Sequence, residues 1–190
     1  MPPDRLLAAL RAGGERAATA RAALAHASDP SALAAPAAAA DQHVAARASV
    51  TAALIASLQP ADHAVARWLL EQEVAAHAAA GQGASETLYS LVAAVARFGD
   101  PQDALLLWYA HDATPDTRAG VDVEQLARAG VERVRARLRE LTAAGGRRSA
   151  SAARALAWFD DGIVGGALDD LAAYFAWSDE RFGLTLHAPV

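Results

Sequence analysis

Apolar side chains recur at spacings of three and four along most of this chain, the period of a helix with one buried face. Val44, Ala48, Thr51, Ile55 and Leu58 form one such stripe, predicting a helix over 36–58. Val65, Trp68, Leu69, Gln72 and Ala76 form the next, over 61–80, with Arg67, Glu71 and Glu73 placed on its surface. Leu88, Leu91, Val92 and Val95 follow, behind Ser85 as an N-cap. From Ala104 to Ala110 the pattern changes, and every face is apolar. Gly99, Asp100 and Pro101 precede this segment as a helix stop, a cap and a first turn. A helix apolar all round must be surrounded by others, so this segment is expected at the centre, with Leu105 and Trp108 in the core.

Either side of it the stripes are weaker. Residues 4–27 carry few large apolar groups (Leu6, Leu7, Leu10 and Leu24) and are interrupted at Gly13 and Gly14. Residues 1–36 are therefore expected to be loosely packed. His111 to Gly120 reads as a polar loop, and Asp122 with Gln125 as a capping box. Val131, Val134, Leu138 and Leu141 stripe the following helix, and Gly145 to Ser149 reads as a flexible linker. Ala152, Ala155, Leu156 and Phe159, then Leu168, Leu171, Tyr174 and Phe175, stripe two last helices separated at Gly162, Gly165 and Gly166. Residues 184–190 read as a flexible tail.

Eight or so helices with short connections imply antiparallel hairpins in a single all-α domain spanning 1–190. Gly99 to Trp108 is echoed by Gly166 to Phe175, an offset near two helical-hairpin repeats. In architecture this resembles a short tetratricopeptide- or HEAT-like array, and an irregular helical bundle fits the stripes equally.

Composition narrows the chemistry. The 190 residues include no Cys, Lys or Asn, and all 17 basic residues are Arg. This reads as the bias of a GC-rich bacterial genome. Schiff-base lysines, thiol nucleophiles and cysteine zinc sites are excluded. Hydrophobic residues are 54% of the chain but aromatics only 6%, so the few large side chains carry the core. A net charge of −5 makes nucleic acid an improbable ligand, and the absence of a long uncharged apolar run argues against a membrane span. The expected location is the cytoplasm.

Four groups could carry chemistry. His111, Asp112, Asp116 and Arg118 stand where the central helix opens out, next to Trp108 and Tyr109. A His beside carboxylates can act as a base or a metal ligand, although a His at a helix C-terminus also serves the dipole. Glu73 and His77 share a helix face, with His63 and His43 on nearby segments, and read best as a solvated pair. The Arg-rich stretch from Arg128 to Arg154 could hold phosphates, but acids dilute it and no aromatics interleave. Asp160, Asp161, Asp169 and Asp170 flank glycines and read as helix caps.

These patterns favour a non-catalytic helical protein–protein interaction module. Its partner would be another protein, with self-association as a further option, and no cofactor is implied. Its partner-binding residues would be Trp108, Tyr109, His111, Asp112, Asp116 and Arg118. The alternative is a small helical-bundle enzyme or metal-binding protein with its site around His111, Asp112 and Asp116.

Overall fold

A computed structural model of the chain describes residues 1–27 and 41–185, and these form eleven helices and no strand. In order they are α1 (Pro3–Ala12), α2 (Gly14–Ala22), α3 (Val44–Ala56), α4 (His63–Ala80), α5 (Glu86–Arg97) and α6 (Ala104–Asp112). They continue with α7 (Pro115–Gly120), α8 (Glu124–Ala127), α9 (Val131–Ala143), α10 (Arg147–Val164) and α11 (Leu171–Phe182). Short 3-10 turns at Pro60–Asp62 and Pro101–Asp103 lead into α4 and α6. The all-α reading is correct. None of the described helices is long and apolar enough to cross a membrane.

Helix α6 is the hub. It packs against α4, α5, α7, α8, α9 and α10, and Leu105, Leu106, Leu107, Trp108 and Ala110 are buried. Asp100 caps the turn before it by accepting from the Gln102 amide, and Ser85 caps α5 by accepting from the Leu88 amide. Burial on α5 runs from Leu88 through Leu91 to Ala96, which makes α5 the second central helix.

Several local expectations are corrected. The N-terminal helices are anchored: Leu6, Leu7 and Leu10 are buried, and the Arg11 guanidinium forks onto both oxygens of the buried Asp62 at 2.8 and 2.7 Å. Residues 28–36 of that expectation, and the start of the helix expected over 36–58, lie outside the described residues. On α3 the buried stripe is Arg47, Val50, Thr51 and Leu54, about one residue round from the expected one, and Val44 is exposed. The expected loop after His111 contains α7, opened by a capping box in which Thr114 and Thr117 each accept the other's amide. No capping box forms at Asp122, because its side chain accepts from the Tyr174 hydroxyl and the Gln125 side-chain Nε2 donates to the Tyr174 and Ser178 hydroxyls.

The expected linker is a tight two-glycine turn. Gly145 and Gly146 take positive φ, and the Ser149 hydroxyl donates to the Thr142 carbonyl at 2.7 Å, tying α10 to α9. Helix α10 then runs through Gly162, where a Cβ would come within 2.9 Å of Val123. Helix α11 is capped by Asp170 and buries only Ser178 fully. Leu184, at the start of the expected tail, is buried, and residues 186–190 lie outside the described residues.

Candidate functional site

The residues singled out around the end of α6 do not form one surface. Trp108 and His111 are buried. The His111 ring stacks on Trp158 with centroids 3.9 Å apart, and Trp108 lies 5.5 Å from Trp158. His111 Nδ1 donates to the Val121 carbonyl at 3.2 Å. Burial pushes the His111 pKa below its ordinary value, against smaller opposing effects of the Val121 carbonyl and Asp112. This His is a core residue joining α6, α10 and the segment after α7. Tyr109 is half-buried on another side of α6. Asp112 bridges Arg118 and Arg154 at 2.7 and 3.0 Å. Of the six, Tyr109 lines a small cleft of about 190 Å³ and Asp116 borders a larger one.

That cleft has a volume of about 460 Å³. Its walls are the C-terminal half of α4, the connection from Gln82 to Ser85, the start of α3 and Asp116 of α7. Apolar groups (Val44, Ala76, Ala80 and Ala84) alternate with Asp41, Glu73, Asp116, His77 and Ser85. A largely apolar concavity with a few convergent polar groups is the usual form of a binding site.

Its floor is an ion-pair network. Glu73 and Arg47 are both fully buried, and Arg47 Nε donates to Glu73 Oε1 at 2.6 Å. A second guanidinium nitrogen donates to Asp41, and Nη1 donates to the Leu24 carbonyl at 3.3 Å. Burial pushes the Asp41 carboxyl up, but hydrogen bonds from Arg47, the His43 amide and His26 outweigh it, and the group is held well below the usual carboxylate range. Burial works against the charge on Arg47, and Asp41 and Glu73 overcome it, so its pKa is raised. The Ser85 hydroxyl donates to Glu73 Oε2 at 3.4 Å, and His77 Nδ1 donates to the Glu73 carbonyl at 2.9 Å. At the rim, Asp116 accepts from the Gly83 amide at 2.6 Å while Thr114 donates to the Gly83 carbonyl at 2.8 Å. The start of α7 thus clamps the connection between α4 and α5.

Glu73 is therefore not a surface residue, and its pairing with His77 is not a solvated one. The overlooked signal was register. Ala66, Leu69, Leu70 and Glu73 lie on the buried seam of α4, and Arg47, Val50 and Leu54 on that of α3. Each charge occupies a position where the helical period calls for an apolar residue.

The remaining groups behave as ordinary structure. Arg135 pairs with Asp160 and Glu132, Arg137 with Glu140, Arg128 with Asp179 and Arg154 with Asp112, so part of the Arg-rich stretch is engaged by acids. Among the described residues, ligand atoms of three His or carboxylate side chains converge within 4.8 Å only at His63, Asp100 and Asp103. His111, Asp112 and Asp116 make no such group. Comparison of the chain with protein-family models, with curated proteins and with solved structures found no match.

Proposed function

We propose that this chain is a non-catalytic helical binding module of the bacterial cytoplasm, and that its partner is another protein held by a basic side chain in the α4 cleft. The observation that carries this reading is the charge count in the cleft. Three carboxylates (Asp41, Glu73 and Asp116) line the cleft, and the one guanidinium beneath it, that of Arg47, pairs with Asp41 and Glu73 and not with Asp116. A second cation entering from the partner would meet uncompensated negative charge in a partly desolvated site, where Coulomb attraction exceeds its value in bulk water. The stem of an Arg or Lys side chain would lie against Val44, Ala76 and Ala80. The net charge of −5 would assist approach of a basic partner. A binding role fits better than proton transfer because the polar groups are engaged with one another: Glu73 with Arg47 and Ser85, His77 with the Glu73 carbonyl.

The test is a calorimetric titration of the full chain with short peptides differing at one central residue: Arg, Lys, Gln or Glu. The Arg and Lys peptides are expected to bind, the other two to bind at least about tenfold more weakly, and added salt to weaken the difference. Asp116→Asn, at the exposed rim, is expected to reduce affinity without loss of stability. Equal binding of all four peptides, or no effect of Asp116→Asn, would overturn the assignment of the cleft. Concentration-dependent mass in solution, lost on Val44→Glu, would instead identify a second copy of the chain as the occupant.

A further inference from the structure

The first turn of α4 and the 3-10 turn before α6 bring a different set of groups together. His63, Asp100 and Asp103 each offer a ligand atom, all within 4.8 Å of one another. Asp103 is 1% exposed. Its Oδ2 lies 2.5 Å from His63 Nε2. Its Oδ1 lies 2.7 Å from Arg67 Nε, at an angle that makes no hydrogen bond, so this buried oxygen accepts none. Asp100 uses Oδ1 to cap the turn through the Gln102 amide, which leaves its other oxygen uncommitted to that cap. The His63 ring is steadied against Phe98, with centroids 4.9 Å apart. An open cleft of about 360 Å³ borders His63 and Asp100.

We infer that His63, Asp100 and Asp103 form a binding site for a divalent first-row transition ion of the Zn²⁺ or Mn²⁺ type. One imidazole nitrogen with two carboxylate oxygens is a mixed donor set that suits these ions better than Ca²⁺, which prefers oxygen alone. The ion replaces the proton that hydrogen-bonds His63 Nε2 to Asp103 Oδ2, which passes to water, and those atoms separate by roughly 1 Å to accept bonds of about 2.0–2.2 Å. Water from the open cleft completes the coordination. Arg67 Nε, 2.7 Å from the far oxygen of Asp103, places a compensating positive charge behind the carboxylate. The cleft also holds Arg21 and Glu71, and three carboxylates (Glu71, Asp100 and Asp103) against two guanidiniums still leave negative charge for a dication to neutralise. Glu73 lies about 15 Å further along α4, at 1.5 Å per residue, so this site and the basic side-chain cleft stand or fall separately.

The experiment titrates the full chain with Zn²⁺, Mn²⁺ and Ca²⁺ by calorimetry and follows thermal melting in parallel. Three variants are compared: His63→Gln, Asp100→Asn (which can still cap the turn) and His77→Gln in the other cleft. One Zn²⁺ or Mn²⁺ per chain is expected, with a higher melting temperature and Ca²⁺ binding more weakly. His63→Gln and Asp100→Asn should each weaken binding by at least about tenfold, and His77→Gln should bind like the parent. Co²⁺ should give visible absorption bands that Asp100→Asn removes. Absence of binding, or unchanged binding in both His63→Gln and Asp100→Asn, would overturn the proposal.

Discussion

Replacing Glu73 by Gln isolates the energetic role of the buried ion pair. The substitution keeps the shape of the side chain and removes its charge, leaving the fully buried Arg47 with Asp41 as its only carboxylate partner. Two charges about 4 Å apart attract by about 4 kcal/mol at an effective dielectric of 20. Breaking buried pairs typically costs about 3–5 kcal/mol, because the surviving charge stays desolvated. Asp41 still compensates Arg47, and Gln can accept one hydrogen bond, so the loss should sit near about 3 kcal/mol. For a chain of this size that corresponds to roughly 6–12 °C in Tm, a large part of a stability of about 5–15 kcal/mol. Urea denaturation at pH 7 with linear extrapolation is the assay. The double variant Arg47→Met with Glu73→Leu should recover much of the loss, since apolar replacements of buried pairs are often neutral or stabilising. Recovery will be incomplete because Asp41 loses its guanidinium. A Glu73→Gln variant within about 1 kcal/mol of the parent would refute the idea that this pair is desolvated.

Three further outcomes are expected. His111 has a pKa lowered by burial; the unfolded chain therefore binds more protons in the window below its ordinary value of about 6.5, and stability falls as pH drops through that range. His111→Phe keeps the stack on Trp158 and should flatten this part of the slope in denaturation curves between pH 7.5 and 5.5; an unchanged slope would contradict the assignment. Trp108→Ala should cost about 3–5 kcal/mol, and melting within a degree or two of the parent would mean that Trp108 is not in the core. Gly120→Ala would place a Cβ 2.1 Å from the Tyr89 hydroxyl and 2.6 Å from its ring carbon; displacing the ring should cost about 1–3 kcal/mol, measured by urea denaturation, and a neutral result would show that Tyr89 turns away freely.

Helical periodicity was enough to find α4, α5, α6, α9 and the first part of α10, because their buried faces are made of Leu, Val and aromatic residues at regular spacing. The Asp100 and Ser85 caps were legible for the same local reason. Three features were not. Helix α7 is short and polar, and its start depends on Thr114 and Thr117 bonding each other, a pairing that a search for Ser/Thr with Glu/Gln passes over. His111 looks like a surface residue in a polar stretch, and its burial comes from Trp158, distant in sequence. Glu73 carries the charge of a surface residue, although its register matches Leu69 and Leu70; its pairing with Arg47 of α3 makes burial tolerable. Of the cleft, Glu73, His77 and Asp116 stood out as residues in the sequence, but their convergence was illegible, since the walls come from four separate segments.

Helix α11 is attached differently from the rest. Its contacts with α8 run through Gln125, Tyr174 and Ser178, and Asp179 receives Arg128 at 2.6 Å and Arg97 at 3.2 Å. Tyr174 also reaches Asp122, and Trp177 is 50% exposed. A helix held by these polar contacts and by the partly buried Leu171, Phe175 and Phe182 has less to lose on opening than α5 or α6, whose large apolar groups are enclosed. It is therefore expected to open without the hub and at lower free energy. In hydrogen exchange its amides are expected to trade with solvent through this partial opening, while those of α5 and α6 wait for global unfolding. The last described helix would then be a detachable clasp over α5 and α8, and exchange in it would report on the clasp rather than on the stability of the whole chain.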